Sequence, residues 1–183
     1  WSRDSVSPVS RIFSQSYVFF YDKLERMNYN IELINLDINA NLLTNLDLSN
    51  NTNLITLNCG VNSILALDLS NNVNLTSVNC EFNEITSLDF SNNPDLTYIT
   101  CRANELTFLN VTNNTLLIVL KFESNQLLNV DLTNNLLLEK LLGYSNINMQ
   151  NLDVTNNDSL EVLIISNLGL STIDLSNNLK LTE

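Results

Sequence analysis

The chain has 183 residues, 44% of them hydrophobic, enough to bury an ordinary single-domain core, so neither disorder nor a disulfide scaffold is needed to account for it. Twenty acidic residues against eight basic ones give a formal charge of -12, which repels phosphate backbones and anionic lipid headgroups and argues against a nucleic-acid partner. Histidine is absent, which removes the commonest general base, the commonest metal ligand and every Ser-His-Asp or Cys-His arrangement.

Residues 1–32 stand outside the periodicity that organises the rest of the chain. Phe13, Tyr17, Phe20, Tyr21, Leu24 and Met27 recur at helical spacing, with Ser14, Gln15, Asp22, Lys23 and Arg26 on the opposite side. Pro8 suits a helix start. The pattern predicts an amphipathic helix over residues 9–27, lying across the open end of the first coil as a cap. An aromatic-rich helix that binds a partner is the alternative. The chain opens at Trp1 with no basic start leading into an apolar stretch and a small-residue cleavage site, which reads as a processed or excised piece. Apolar runs such as Tyr17 to Tyr21 and Leu136 to Leu138 fall far short of the roughly 18 residues of a membrane span, so no membrane insertion is expected.

From Leu33 the sequence repeats. LINLDINANLLTNLDLSNNTN, LITLNCGVNSILALDLSNNVN and LTSVNCEFNEITSLDFSNNPD are the first three of five consecutive 21-residue blocks. A 22-residue block from Leu138 and a 21-residue block from Leu160 follow, and an eighth begins at Leu181, so residues 33–183 hold seven complete repeats and the start of another. Positions 1, 4, 6, 11, 14 and 16 of each block are apolar and point inward, because a single coil cannot bury its apolar face without a neighbour stacked on it. Position 9 holds Asn41, Asn62, Asn83, Asn104, Asn125 and Asn146, an asparagine ladder set where backbone groups inside the coil need a side-chain amide to satisfy them.

With these positions the chain resembles the 21-residue bacterial class of leucine-rich repeats, and is similar to internalin-type surface proteins with a cysteine ladder. The resemblance covers about four-fifths of the sequence, from Leu33 onward. It implies a right-handed solenoid with a parallel β-sheet on the concave face, short turns or irregular structure on the convex side and an N-terminal helical cap. It also implies an extracellular or cell-surface recognition module. Asn110, Asn148 and Leu168 depart from the pattern, where Asp, Leu and the ladder Asn are usual. They place the register of the last two coils in question.

At the far end the sequence stops as a coil begins. The column around Leu163, Ile165, Leu170, Ile173 and Leu175 is expected to face water unless the natural chain continues or another copy covers it. Truncation is the favoured reading, and self-association through the uncapped end is the alternative.

Cys59, Cys80 and Cys101 all fall at position 6 of consecutive repeats, an inward strand position, and read as reduced thiols acting as small hydrophobes. A metal-binding trio is disfavoured, because parallel stacked side chains lack tetrahedral geometry and no C-x-x-C pair occurs. Position 15 carries Asp47, Asp68, Asp89, Asn110, Asp131, Asp153 and Asp174. Calcium between coils would suit such oxygens. The favoured reading is a turn-stabilising Asx side chain accepting backbone N–H bonds ahead of the (S/T)-N-N turn. No cofactor or metal is therefore expected.

Strand alternation turns positions 3, 5 and 7 out of the sheet. The first three coils present mostly small polar groups there. The last four present Tyr98, Thr100, Arg102; Val119, Lys121, Glu123; Lys140, Leu142, Tyr144; and Val162, Ile164, Ser166. Arg102, Lys121 and Lys140 run diagonally across consecutive strands, flanked by aromatic and aliphatic side chains. Such a mixture is typical of interface hot spots. The expected ligand-binding residues are Tyr98, Arg102, Val119, Lys121, Glu123, Lys140, Leu142 and Tyr144, with a protein or glycan as ligand. A cross-strand charge lattice that merely offsets the net acidity is the plainer reading. A catalytic pair of Glu81 and Glu123, two coils apart at roughly 10 Å, is discounted, and the chain is not expected to be an enzyme.

Overall fold

The computed structural model describes residues 30–182 and the strand Val9–Arg11. In chain order the strands are β1 (Val9–Arg11), β2 (Asn35–Asp37), β3 (Thr56–Asn58), β4 (Ser77–Asn79), β5 (Ser87–Asp89), β6 (Tyr98–Thr100), β7 (Phe108–Asn110), β8 (Val119–Lys121), β9 (Lys140–Leu142) and β10 (Val162–Ile164). β2, β3, β4, β6, β8, β9 and β10 take positions 3–5 of the seven repeats. With β1 at one edge they form an eight-stranded parallel sheet in the order β1-β2-β3-β4-β6-β8-β9-β10. The pairing is in register from coil to coil: Leu36 faces Leu57, Leu57 faces Val78, Val78 faces Ile99, Ile99 faces Leu120, Leu120 faces Leu141, and Leu141 faces Leu163. One repeat is thus one turn of a solenoid, and its length is what brings each strand back beside the last.

The expected N-terminal helix is corrected where it can be checked. Val9, Ser10 and Arg11 pair in parallel with Asn35, Leu36 and Asp37. Its first three residues therefore extend the sheet. The edge of β2 would otherwise carry unpaired N–H and C=O groups, and a strand satisfies them where a helix cannot. The rest of that helix, residues 12–27, lies outside the described residues. No helix occurs among the described residues, and none is therefore long and apolar enough to cross a membrane.

The core is one continuous column of position 1, 4, 6, 11, 14 and 16 side chains. Leu54, Leu75, Leu96, Leu117, Leu138 and Leu160 at position 1 are fully buried. On the side away from the long sheet, β5 and β7 form a parallel two-stranded ribbon, Ser87 to Phe108 and Asp89 to Asn110. The convex side is more ordered there than short turns would make it. The 22-residue coil absorbs its extra residue at Ile147–Asn148, a turn with Ile147 exposed, so that Met149 becomes the buried residue in place of the usual leucine. In the last coil Leu163, Ile165, Leu168, Leu170 and Ile173 are only partly buried, as expected of a column with no coil beyond it among the described residues.

Two asparagine ladders hold the coils together. At position 9 the Nδ2 of Asn83 donates to the carbonyls of Cys80 (3.1 Å) and Cys59 in the preceding coil (3.1 Å), while its Oδ1 accepts from the amide of Ile64 at 2.9 Å. At position 19 the Nδ2 of Asn93 donates to Leu69 (3.0 Å) and Asn72 (2.9 Å). Asn72, Asn114, Asn135, Asn157 and Asn178 repeat that arrangement. Sequence reading found only the first. The second was visible as the invariant second Asn of the N-N turn, but exposed Asn-rich turns look the same on paper.

Candidate functional site

The three cysteines are buried and unpaired. Each sits at the inward position following a strand, and Cys80 and Cys101 point their thiols at the carbonyls of Thr100 (3.6 Å) and Lys121 (3.5 Å) one coil on. Burial pushes the Cys59 thiol up to about 12 and raises Cys80 and Cys101 as well. Protonated thiols in an apolar column are packing residues, since it is the thiolate that attacks and ligates.

The position-15 carboxylates are occupied by their own turns. Oδ1 of Asp47, Asp68, Asp89, Asp131, Asp153 and Asp174 accepts the amide N–H two residues on, at 2.9–3.0 Å. Asn110 does the same for Thr112 at 3.1 Å. Asp174 and Asp131 push Asp153 upward, but its hydrogen bonds outweigh them. Asp68, Asp89, Asp131, Asp153 and Asp174 are held below the ordinary carboxylate range, chiefly by the backbone and hydroxyl donors of the Ser or Thr two residues on. Among the described residues no group of three or more Cys, Asp or Glu is placed to hold a metal ion.

The outward face of the sheet is where the chemistry varies. β6, β8 and β9 lie side by side, with Tyr98 facing Val119 and Val119 facing Lys140 in one row, and Thr100 facing Lys121 and Lys121 facing Leu142 in the next. Arg102, Glu123 and Tyr144 follow these strands at position 7. Tyr98, Arg102, Val119, Lys121, Leu142 and Tyr144 are half-buried and Lys140 is exposed. All eight expected residues thus fall on three adjacent strands and the residues that follow them.

Their contacts are specific. The Nε of Arg102 donates to Oε2 of Glu81 at 2.6 Å, and its guanidinium lies over the ring of Phe82, 4.8 Å from the centroid. The Lys121 ammonium lies over the ring of Tyr98 at 5.5 Å, so both cations rest on aromatic faces. Glu123 differs from Glu81 in its burial. It is only 2% exposed, and among the described residues its Oε2 has no hydrogen-bond partner. Burial raises its carboxyl above the usual range, against the lowering influence of its own amide N–H, Arg102 and Lys121. Beside it Thr100 is also buried, with no partner for its Oγ1 among the described residues.

Phe82 and Thr100 belong to this patch and were not among the residues picked from sequence. Phe82 stands at position 8, where the backbone of every coil turns left-handed: Ala40, Val61, Phe82, Ala103, Ser124, Ser145 and Asn167 have φ between 51° and 59°. Alternation stops there, so strand counting does not say where Phe82 points. The available signal was its type, the single aromatic in that column.

No protein-family model and no curated protein matches the chain. Solved structures do match. The functional domain of InlJ from Listeria monocytogenes, described as including a cysteine ladder, is 38% identical over 82% of this chain, with a TM-score of 0.81. A leucine-rich-repeat protein of Leptospira interrogans (23% identity, 81% of this chain, TM-score 0.76) and an internalin, inlF, of Listeria monocytogenes (24%, 82%, 0.67) share the fold. This chain spans 33%, 41% and 46% of those three chains respectively. The 21-residue coil, the paired asparagine ladders and the three stacked thiols, together with this likeness, make the chain a leucine-rich-repeat solenoid of the 21-residue class, similar to internalins with a cysteine ladder.

Proposed function

We propose that the chain is a non-catalytic recognition module that binds a protein ligand on the outward, concave face of the sheet, within a secreted or surface-displayed bacterial protein. The observation that carries this is the change in that face at β6. From Asn35 to Asn79 its side chains are small and polar, and Asn35 is already satisfied by Thr56 (2.6 Å) and Asp37 by Asn58 (3.1 Å). From Tyr98 to Tyr144 it offers aromatic rings, aliphatic surface and two cations that rest on those rings. Anchors of this kind, held in place before a partner arrives, reduce the ordering cost of association. The likeness to internalin structures supports the same reading, as does the absence of histidine.

The test is to replace Tyr98, Arg102, Lys121 and Tyr144 together by alanine and to screen both forms against protein and glycan arrays. A protein ligand that binds the native chain and not the variant is the expected result. Sugar binding that depends on Tyr98 and Tyr144 would make the ligand a glycan instead.

A second reading, self-association in a longer surface protein, rests on the last coil, where Leu175 is 39% and Leu179 is 88% exposed. A concentration series by light scattering separates the two. A strict monomer at high concentration removes self-association, whereas oligomers that persist in the four-residue variant with no array ligand favour it.

A further inference from the structure

Position 21 of the repeat changes character between the first coils of the solenoid and the middle ones. In coils one and two it is Asn53 and Asn74, whose Nδ2 atoms donate to the position-20 carbonyls of Ile31 (2.9 Å) and Thr52 (3.0 Å) in the preceding coil. These bonds tie successive turns together on the rim that leads into the long sheet. In coils four and five the same position is Leu116 and Leu137. The register that sets Asn74 against Thr52 sets these leucines against Pro94 and Thr115, with no amide to make the bond.

Burial does not compensate for that loss. Leu116 is 44% and Leu137 48% exposed, and Leu136, the chain neighbour of Leu137, is 55% exposed. Leu116 and Leu137 stand one coil apart, about 5 Å, so the three leucines form one apolar strip on the rim. A leucine that replaces a cross-coil hydrogen bond and still faces water adds little to the fold. Adjoining exposed apolar side chains of this kind mark an interaction surface.

Charge decides what can cover the strip. Asp95 takes position 21 one coil before Leu116, and Asp158 takes position 20 one coil after Leu136; both are exposed. Glu139, two residues beyond Leu137, is half-buried, and its amide donates to the carbonyl of Ile118 at 2.9 Å. None of these three carboxylates forms an ion pair among the described residues. The nearest bases lie off the strip: Lys140 is on β9 opposite Val119, and Lys180 is at position 21 two coils beyond Leu137. A second copy, itself of net charge -12, or an anionic lipid surface would add charge of the same sign. A basic segment would bring the opposite one.

We infer that this rim strip is a second contact surface, separate from the outward face of the sheet, and that it takes a protein segment with an apolar anchor flanked by Lys or Arg. The anchor covers Leu116 and Leu137, and the flanking bases reach Asp95 and Asp158. Those two carboxylates are three coils apart, about 15 Å, which sets the bases roughly four or five residues apart in an extended segment.

A phage-displayed random peptide library, depleted on Leu116→Asn/Leu137→Asn and then selected on the full native chain, supplies the probes. The variant carries the asparagine of coils one and two, so its melting midpoint should equal or exceed the native one. Synthetic peptides from the selection are titrated by fluorescence anisotropy. The expected peptides hold an apolar centre between Lys or Arg residues and bind the double-leucine variant at least tenfold more weakly. Their affinity should fall as salt rises from about 50 mM to about 500 mM, and should be roughly fivefold weaker in Asp95→Asn/Asp158→Asn. Tyr98→Ala/Tyr144→Ala should leave it unchanged. A selection that yields no peptide distinguishing the native chain from the leucine variant overturns the inference. Peptides insensitive both to salt and to Asp95→Asn/Asp158→Asn do so too, as do peptides that are lost in Tyr98→Ala/Tyr144→Ala, which belong to the sheet face. A midpoint several degrees lower in Leu116→Asn/Leu137→Asn would assign the leucines to the fold and also overturn it.

Discussion

Phe122 and Gly143 occupy the same inward position of adjacent coils, and the ring of one fills the space the other leaves. A Cβ built on Gly143 would stand 2.6 Å from Cε2 of Phe122, whose side chain is fully buried. Gly143→Ala is therefore expected to cost about 1–3 kcal/mol by overpacking. Phe122→Cys alone, which opens a cavity, should cost roughly 3 kcal/mol or more. Phe122→Cys with Gly143→Cys extends the thiol column by two coils and should be less damaged than Phe122→Cys alone. Urea midpoints at constant m-value measure these three and Gly143→Cys alone, and a double variant whose cost equals the sum of the two cysteine singles would refute the coupling.

The adjacent pair Asn92–Asn93 should respond in opposite ways. Asn93 is fully buried and serves two carbonyls, so Asn93→Ala is expected to cost about 2 kcal/mol or more for the acceptors left bare. Asn92 is exposed, and Asn92→Ala should stay within about 0.5 kcal/mol. Thermal midpoints of the two single variants check this directly.

The thiols should be silent toward an aromatic disulfide reagent in the native state and should react together on unfolding in guanidinium. Their folded pKa values are raised, so stability is unaffected below the unfolded thiol value near 8.5 and declines as pH rises above it, up to about 1.4 kcal/mol per pH unit for each thiol. Cys80→Ala should flatten that alkaline decline. An unchanged slope would show that the buried thiols do not set it.

The position-15 aspartates act at the other end of the pH scale. The folded pKa values of Asp68, Asp89, Asp131, Asp153 and Asp174 are lowered, so their contribution is present above the unfolded value near 3.9 and is lost as pH falls through and below it. Asn110 shows that an amide makes the same turn. Asp131→Asn should therefore lose at most about 0.5 kcal/mol at pH 7 and converge with the native chain in acid, whereas Asp131→Ala should be the weaker fold at every pH. Melting each with calcium and with chelator is expected to leave the midpoints in place, and a calcium-dependent rise would reinstate a metal between coils.

Val61 is the β-branched residue among the left-handed position-8 residues, with φ of 53°. A branched Cβ is poorly accommodated there, and Val61→Gly is expected to stabilise the chain by about 1 kcal/mol, seen as a higher urea midpoint.

The repeat itself was fully legible in the sequence. A fixed 21-residue spacing of leucines leaves one economical way to bury them, and a residue's place in the block says whether it faces the core. The strands at positions 3–5, the thiol column, the first asparagine ladder and the outward positions of Tyr98, Lys121 and Lys140 all follow from that periodicity. Tertiary structure decided whatever depends on what lies in the next coil. It set the strand at Val9–Arg11, because the open edge of β2 offers hydrogen bonds that an added strand can take up. It turned Phe82 under Arg102, because a left-handed residue breaks alternation. It buried the Glu123 carboxyl with Oε2 lacking a hydrogen-bond partner among the described residues, while Arg102 pairs with Glu81. Periodicity gives each side chain a direction, but only stacking gives it a neighbour, and the chemistry of the outward face lies in which neighbours are already engaged.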